Sequence, residues 1–207
     1  MVDNSSIMQD TASELHLRIA ERLRDLRLMH ELSLEALATL SGVSRSMISL
    51  IERGESSPTA VVLDKLATAL GVTLASLFDA SVDASDASAP SPIARRMDQP
   101  EWQDPDSGYR RRNVSPPGTA HPMQIVEVHF PARARVAFET AERDVRVQQQ
   151  VWVLEGAIDI TVGTARHRLR DGDCLAMELD QPTMFHNPTR HAARYAVVIA
   201  IARGAGR

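Results

Sequence analysis

Arg45, Ser46 and Ser49 lie in the stretch VSRSMISLIERG, residues 43–54, and each carries a side chain that can hydrogen-bond. On a helix of 3.6 residues per turn they share one side with Arg53, with Leu50 beside them. Met47, Ile48 and Ile51 fall on the other side. A guanidinium can bind the acceptors of guanine, a hydroxyl can meet any base edge, and an aliphatic side chain can touch a thymine methyl. The chemistry on offer is recognition of a surface. An ordinary amphipathic helix with a solvated polar face has the same pattern, so at this point both readings stand.

The residues that make and break bonds are sparser. His121, His129, His167 and His191 form no metal-ligand spacing. The single cysteine, Cys174, follows a turn into an apolar strand and is expected to be a small buried residue. One cysteine cannot form a disulfide within the chain, which fits a reducing cytosol. The N-terminus is polar, without a leader pattern. The longest apolar run, YAVVIAIA, has 8 residues, short of the roughly 20 that span a bilayer. The expectation is a cytoplasmic protein with no membrane partner.

Bulk charge does not advertise a nucleic-acid binder. The net charge is −4; residues 1–80 hold 7 Lys and Arg against 11 Asp and Glu, and residues 81–207 hold 16 of each. Any DNA reading must rest on where the arginines sit.

The elements that would position these groups divide the 207 residues in two. Residues 13–78 read as short helices. Leu15, Ile19, Leu23 and Leu26 recur at helical spacing; Ser33, Ser44, Thr59 and Thr73 stand where helices need caps; Gly42, Gly54 and Gly71 stand where they stop. Residues 79–92, DASVDASDASAPSP, lack apolar surface and are expected to form a flexible linker. In residues 93–203 the period changes to that of strands: 124–130, 147–156, 157–163, 164–170, 174–180 and 193–202 are β-rich runs between turn residues, which argues a sandwich or barrel.

Residues 18–78 resemble the lambda-repressor-like (Xre-type) helix-turn-helix family. The matching pieces are Arg27, LSLEALA, SGVS, IERGESSPT and LATALGVTLASLF, in family order and spacing. The resemblance implies that the helix after SGVS lies in the DNA major groove. It implies base reading by Arg45, Ser46 and Ser49, with Leu50 beside them, and phosphate contacts by Arg27, Arg53 and Thr59. Ser44, at the helix start, can cap it or touch a phosphate. Glu52 lies in the matching segment, but a carboxylate repels phosphate, so it is read as structural.

The second half resembles the cupins, all-β barrels of the double-stranded β-helix type, through VWVLEG and LRDGDCLAMELDQPTMFHNPT. Cupins usually carry three His and one Glu as metal ligands. Counting from Gly156 puts Gln149 at the usual Glu, and Arg143 and Val145 at two of the usual His positions; a longer spacing puts Glu142 and Asp144 there instead. Counting from Gly172 puts Thr183 at the third His and Asn187 at the usual Asn. An amide and a hydroxyl bind divalent metals poorly, so no metal and no cofactor are expected. If Thr183 and Phe185 point inward, His186 points out. Gln149, Thr183, Arg143 and Val145 are left as candidate lining for a small polar or anionic ligand. Trp102 is expected to pack, and Trp152 to pack or to meet a partner.

A helix-turn-helix, a linker and a cupin resemble bacterial regulators that sense small molecules. The expectation is a homodimer on an inverted-repeat operator in double-stranded DNA, responding to an unidentified effector, with no enzyme activity. Two alternatives stay open: a cupin enzyme (a metal-dependent oxygenase or isomerase) and a constitutive repressor with a purely structural cupin. Because the linker reads as floppy, coupling between the halves is expected to run through the dimer.

Overall fold

The computed structural model describes residues 4–78, 91–119, 122–139 and 146–202. Four helices come first: α1 (Asn4–Met29), α2 (Leu34–Ser41), α3 (Arg45–Glu52) and α4 (Ala60–Ala69), followed by a 3₁₀ turn, Leu74–Phe78. The expected caps form. Ser33 accepts from the Ala36 amide at 3.1 Å and Ser44 from the Met47 amide at 3.3 Å, while Thr73 accepts from the Ser76 amide at 3.2 Å. Gly42 ends α2 at φ +67, in the left-handed region that glycine enters without steric cost. Gly54 does the same after α3, and a Cβ there would stand 2.8 Å from the Leu17 side chain. Leu15, Ile19, Leu23 and Leu26 are all buried, as their spacing requires. Met47 is not: it lies 37% exposed beside Ser56, because α3 turns only Ile48 and Ile51 fully inward.

Ten strands follow: β1 (Glu101–Gln103), β2 (Arg110–Asn113), β3 (Met123–Phe130), β4 (Arg135–Phe138), β5 (Arg146–Glu155), β6 (Ala157–Val162), β7 (Ala165–Arg170), β8 (Cys174–Glu178), β9 (Thr183–His186) and β10 (Ala193–Ala202). They form a six-stranded sheet, β1-β2-β3-β10-β5-β8, and a four-stranded sheet, β4-β9-β6-β7. Every strand pair is antiparallel. In β5 the alternation is strict over most of its length. Val147, Gln149, Val151 and Val153 are buried, and Gln148, Gln150 and Trp152 face out. Val126, Val128 and Val197 from one sheet join Ile158, Ile160 and Phe185 from the other in the same core cluster.

Four strands were not legible in the sequence. β1 and β4 are short, and β9 is a four-residue run between Pro182 and Pro188. β2 reads RRRN, which looks like surface, yet Arg111, Arg112 and Asn113 are buried. Arg112 ion-pairs with Glu127 and donates to Gln99 Oε1 at 2.9 Å. The polarity of β2 is therefore met by partners far away in sequence.

Cys174 departs from expectation. It opens β8, the edge strand of the larger sheet, on the outward register opposite Trp152, and is exposed. Trp102 is 1% exposed and packed, its ring 5.7 Å from Phe78 and 5.9 Å from Tyr109. Among the described residues no single helix is long and apolar enough to cross a membrane.

The helical half and the sheet half pack on each other directly. Asp104, in the loop after β1, accepts from the Ala60 amide at 2.8 Å, which places a carboxylate at the start of α4. Asn113 Nδ2 donates to the Ala75 carbonyl at 3.2 Å, and Thr73 Oγ1 donates to Gln124 Oε1 at 3.2 Å. Lys65 on α4 pairs with Glu139 at 2.7 Å. The Arg111 guanidinium lies 5.5 Å from the centre of the Phe78 ring. Residues 79–90 of the expected linker lie outside the described residues.

Candidate nucleic-acid interface and ligand cavity

The polar face of α3 is presented to solvent. Arg45 and Ser46 are exposed, and Ser49 and Leu50 are half-buried. Leu34, at the start of α2, joins Arg45, Ser46 and Ser49 around a shallow concavity. The turn at Gly42 and the burial of Val43, Ile48 and Ile51 fix the angle at which α3 shows this face. Hydroxyls and a guanidinium are thus held on a short, capped helix instead of a loose surface.

The expected phosphate contacts are placed differently. The Arg27 guanidinium donates to both carboxylate oxygens of Glu52, each at 2.7 Å, and to the Leu32 carbonyl at 2.9 Å. Its side chain is 11% exposed. Arg27 therefore ties α1 to the end of α3 and positions that helix; its hydrogen bonds to Glu52 raise its pKa further. The structural reading of Glu52 agrees with this geometry. Thr59 caps α4, accepting from the Val62 amide at 3.4 Å. The Ala60 amide, at the first position of α4, is held by Asp104, whose charge would repel a phosphate at that helix start. Ser44 spends its hydroxyl on the α3 cap and on Ser46. Arg53 is exposed and pairs with Glu55 at 2.8 Å, while also reaching the Ser49 hydroxyl. Of the four, Arg53 alone keeps an exposed cation near the α3 face.

Gln149 on β5 and Thr183 on β9 come from different sheets and line one cavity of about 90 Å³. Both are buried. Phe130, Phe138, Phe185, Val197 and Ile199 give the cavity an apolar body. Polar groups reach it from Tyr109, Tyr195 and Arg111. Burial pushes both phenols well above their ordinary pKa, so each stays a hydrogen-bond donor. Arg111 carried no signal in the sequence beyond its place in an arginine run. Arg143 and Val145, with the alternatives Glu142 and Asp144, lie outside the described residues.

His186 follows Phe185 on β9. Phe185 lines the cavity and His186 does not, so the alternation holds. Asn187 is fully buried and structural: its Nδ2 donates to the His191 carbonyl at 2.8 Å and the Pro131 carbonyl at 3.1 Å. Among the described residues no three His, Cys, Asp or Glu side chains converge as a metal-binding group. At the two positions counted from the motifs the cavity wall carries an amide, Gln149, and a hydroxyl, Thr183, both poor ligands for a divalent metal.

Residues 23–77 match the helix-turn-helix family HTH_3. The chain is 26% identical over 171 residues to the HTH-type transcriptional regulator SutR of Escherichia coli K12, covering 82% of this chain and 86% of that protein. The crystal structure of an HTH_3 family transcriptional regulator from Vibrio cholerae superposes with TM-score 0.72 at 27% identity, over 93% of this chain and 99% of that one. The chain is a transcriptional regulator with a helix-turn-helix domain and an all-β second half. A cupin domain of an XRE family regulator from Enterobacter cloacae overlaps 46% of the chain and 98% of its own, with TM-score 0.42 and 14% identity. Within the matched residues α3 is the second helix of the motif.

Proposed function

We propose that this regulator acts in the cytoplasm as a homodimer that binds an inverted-repeat operator in double-stranded DNA, and that its cavity senses a small polar effector. The observation that carries the DNA reading is the exposed α3 face of Arg45, Ser46, Ser49 and Leu50 on a helix whose angle is set by the Arg27–Glu52 pair. Arg53 is the phosphate contact retained in this reading. One such head covers a half-site, and a two-fold dimer meets a two-fold operator.

The dimer is supported by the outer face of the larger sheet. Trp152 is 50% exposed there, flanked in register by Ala196 and Cys174, with Ile125, Val198 and Gln150 in the next row. An exposed tryptophan on an antiparallel sheet face, with small and aliphatic neighbours, suits a self-complementary contact. Selection from a random pool of duplexes by the purified full chain is expected to return an inverted repeat. Its half-site centres should lie about 34–36 Å apart, one helical turn. A single unrepeated site would remove the two-fold reading.

Sensing is supported by Gln149 and Thr183 meeting in one mostly apolar cavity. Replacing both, Gln149→Met with Thr183→Val, keeps volume and removes hydrogen-bonding groups. Operator affinity without effector is expected to stay within about twofold of wild type, while the effector response is lost. Gel-shift titrations with and without the metabolite suggested by the target genes make the comparison. A full response in the double variant would move the effector elsewhere. A regulator that reports occupancy needs no bond-making step, so a non-enzymatic role accounts for this cavity.

A further inference from the structure

The cavity is not built by the second half alone. Asp64 from α4, and Thr73 and Leu74 from the turn that follows, line it together with Arg111, Gln149 and Thr183. We propose that the cavity takes a small organic carboxylate, held at Arg111, and that its occupancy works against the docking of α4 on the second half within the same chain. This rests on the sensing reading above and adds to it a ligand class and a direct route.

The ligand class follows from the polar groups at the wall. Arg111 is buried at the wall and brings a charged guanidinium to it. Tyr109 and Tyr195 add two phenolic donors, and Gln149 an amide. The carboxylates there are Asp64, supplied by α4, and Glu139, which is already paired with Lys65. The fork of guanidinium N–H bonds at Arg111 matches a carboxylate in charge and geometry. The rest of the lining, Phe130, Phe138, Phe185 and Val197 among it, suits an apolar body. Phe185 and Tyr195 stack at 6.0 Å with their planes 11° apart, which leaves flat ring faces along one side.

The route follows from what Arg111 and Asp64 otherwise do. Arg111 stacks on Phe78, the last residue of the helical half's closing turn, so a ligand that draws the guanidinium inward loosens that contact. Asp64 brings negative charge into the same confined space, and a second carboxylate there is repelled by it. Both effects favour α4 moving away. From Phe78 a run of touching rings passes through Trp102, Tyr109, Phe130 and Tyr195 to the cavity wall, so displacement at one end meets packed side chains and no soft linker. Reciprocity requires that whatever releases α4 also changes carboxylate affinity, by the same factor.

The test titrates the full chain with hexanoate and benzoate, each against its alcohol and amine counterparts: 1-hexanol and hexylamine, benzyl alcohol and benzylamine. Binding is read by calorimetry and amide exchange by mass spectrometry. At least one carboxylate is expected to bind about tenfold more tightly than both of its counterparts, and Arg111→Gln to erase that preference. Asp64→Asn, an isosteric change in the DNA-binding half, is expected to raise carboxylate affinity several-fold. Exchange in residues 60–78 is expected to speed up when the carboxylate binds. An alcohol or amine binding as tightly as its carboxylate overturns the ligand class and leaves the sensing reading standing. Absence of binding by all six probes also overturns it, with sensing still judged separately by the Gln149 and Thr183 variant on operator DNA. Unchanged affinity in Asp64→Asn together with unchanged exchange overturns the coupling. Should Arg111→Gln fail to fold, the wild-type preference, the Asp64→Asn titration and the exchange experiment decide the matter.

Discussion

Trp152→Glu is expected to convert the protein to a folded monomer and to weaken operator binding by roughly 100-fold or more. The side chain is half exposed on the outer face of β5, so the substitution removes little from the core of the protomer. In the proposed dimer it would bury a carboxylate on a face that also carries Val198 on the adjoining β10 and Ile125 on β3 beyond it, at a cost of several kcal/mol. The operator penalty follows from effective concentration. Two linked heads bind two half-sites with an avidity about 10²–10⁴ times that of one, and a monomer forfeits this gain. Light scattering reports the mass, circular dichroism the fold, and gel shift the affinity. A dimer of unchanged stability would show that the interface lies on another face.

Arg27→Ala is expected to cost roughly 2–4 kcal/mol of stability. Glu52 is left 7% exposed, without its partner, and the Leu32 carbonyl loses a donor. The midpoint of thermal unfolding for this half should fall by several degrees. Because the pair fixes α3, affinity for specific and non-specific DNA should fall together at temperatures where the fold is already weakened, and recover on cooling. Glu52→Gln, which keeps one hydrogen bond, should lie between the two. A variant of full stability that loses only DNA affinity would return Arg27 to the role of a phosphate contact.

The helical half was legible almost residue by residue because its signals are local. Serines and threonines at caps, glycines at positive φ and leucines at helical spacing each act within one turn of the chain. The strong strands were legible for the same reason, their alternation being written within each strand. What stayed hidden depends on partners distant in sequence. RRRN reads as surface until Glu127 and Gln99 are seen beside Arg112. Cys174 reads as core until β8 is seen to be an edge strand. Arg27 reads as a phosphate contact until Glu52 is found against it. Gln149 and Thr183 were found by counting along two motifs, yet nothing in the chain's local pattern says that Asp64, far upstream, closes the same cavity. The contact between the halves offers a route inside one chain, where the sequence offered only a route through the dimer.

The central claim is that the α3 face reads sequence, and Arg45 tests it most directly. Arg45 is exposed on that face and makes no contact on which the fold depends, so Arg45→Ala should leave stability within about 0.5 kcal/mol of wild type. The measurement is a competition on the operator recovered by selection, with wild type and Arg45→Ala each titrated against specific duplex in the presence of random duplex. Reading of a guanine by Arg45 predicts that the variant loses roughly 1–3 kcal/mol on the specific site, relaxes its preference at one base pair per half-site, and binds random duplex almost as before. A variant that keeps the full preference of wild type at every position would contradict the assignment of α3 as the reading helix.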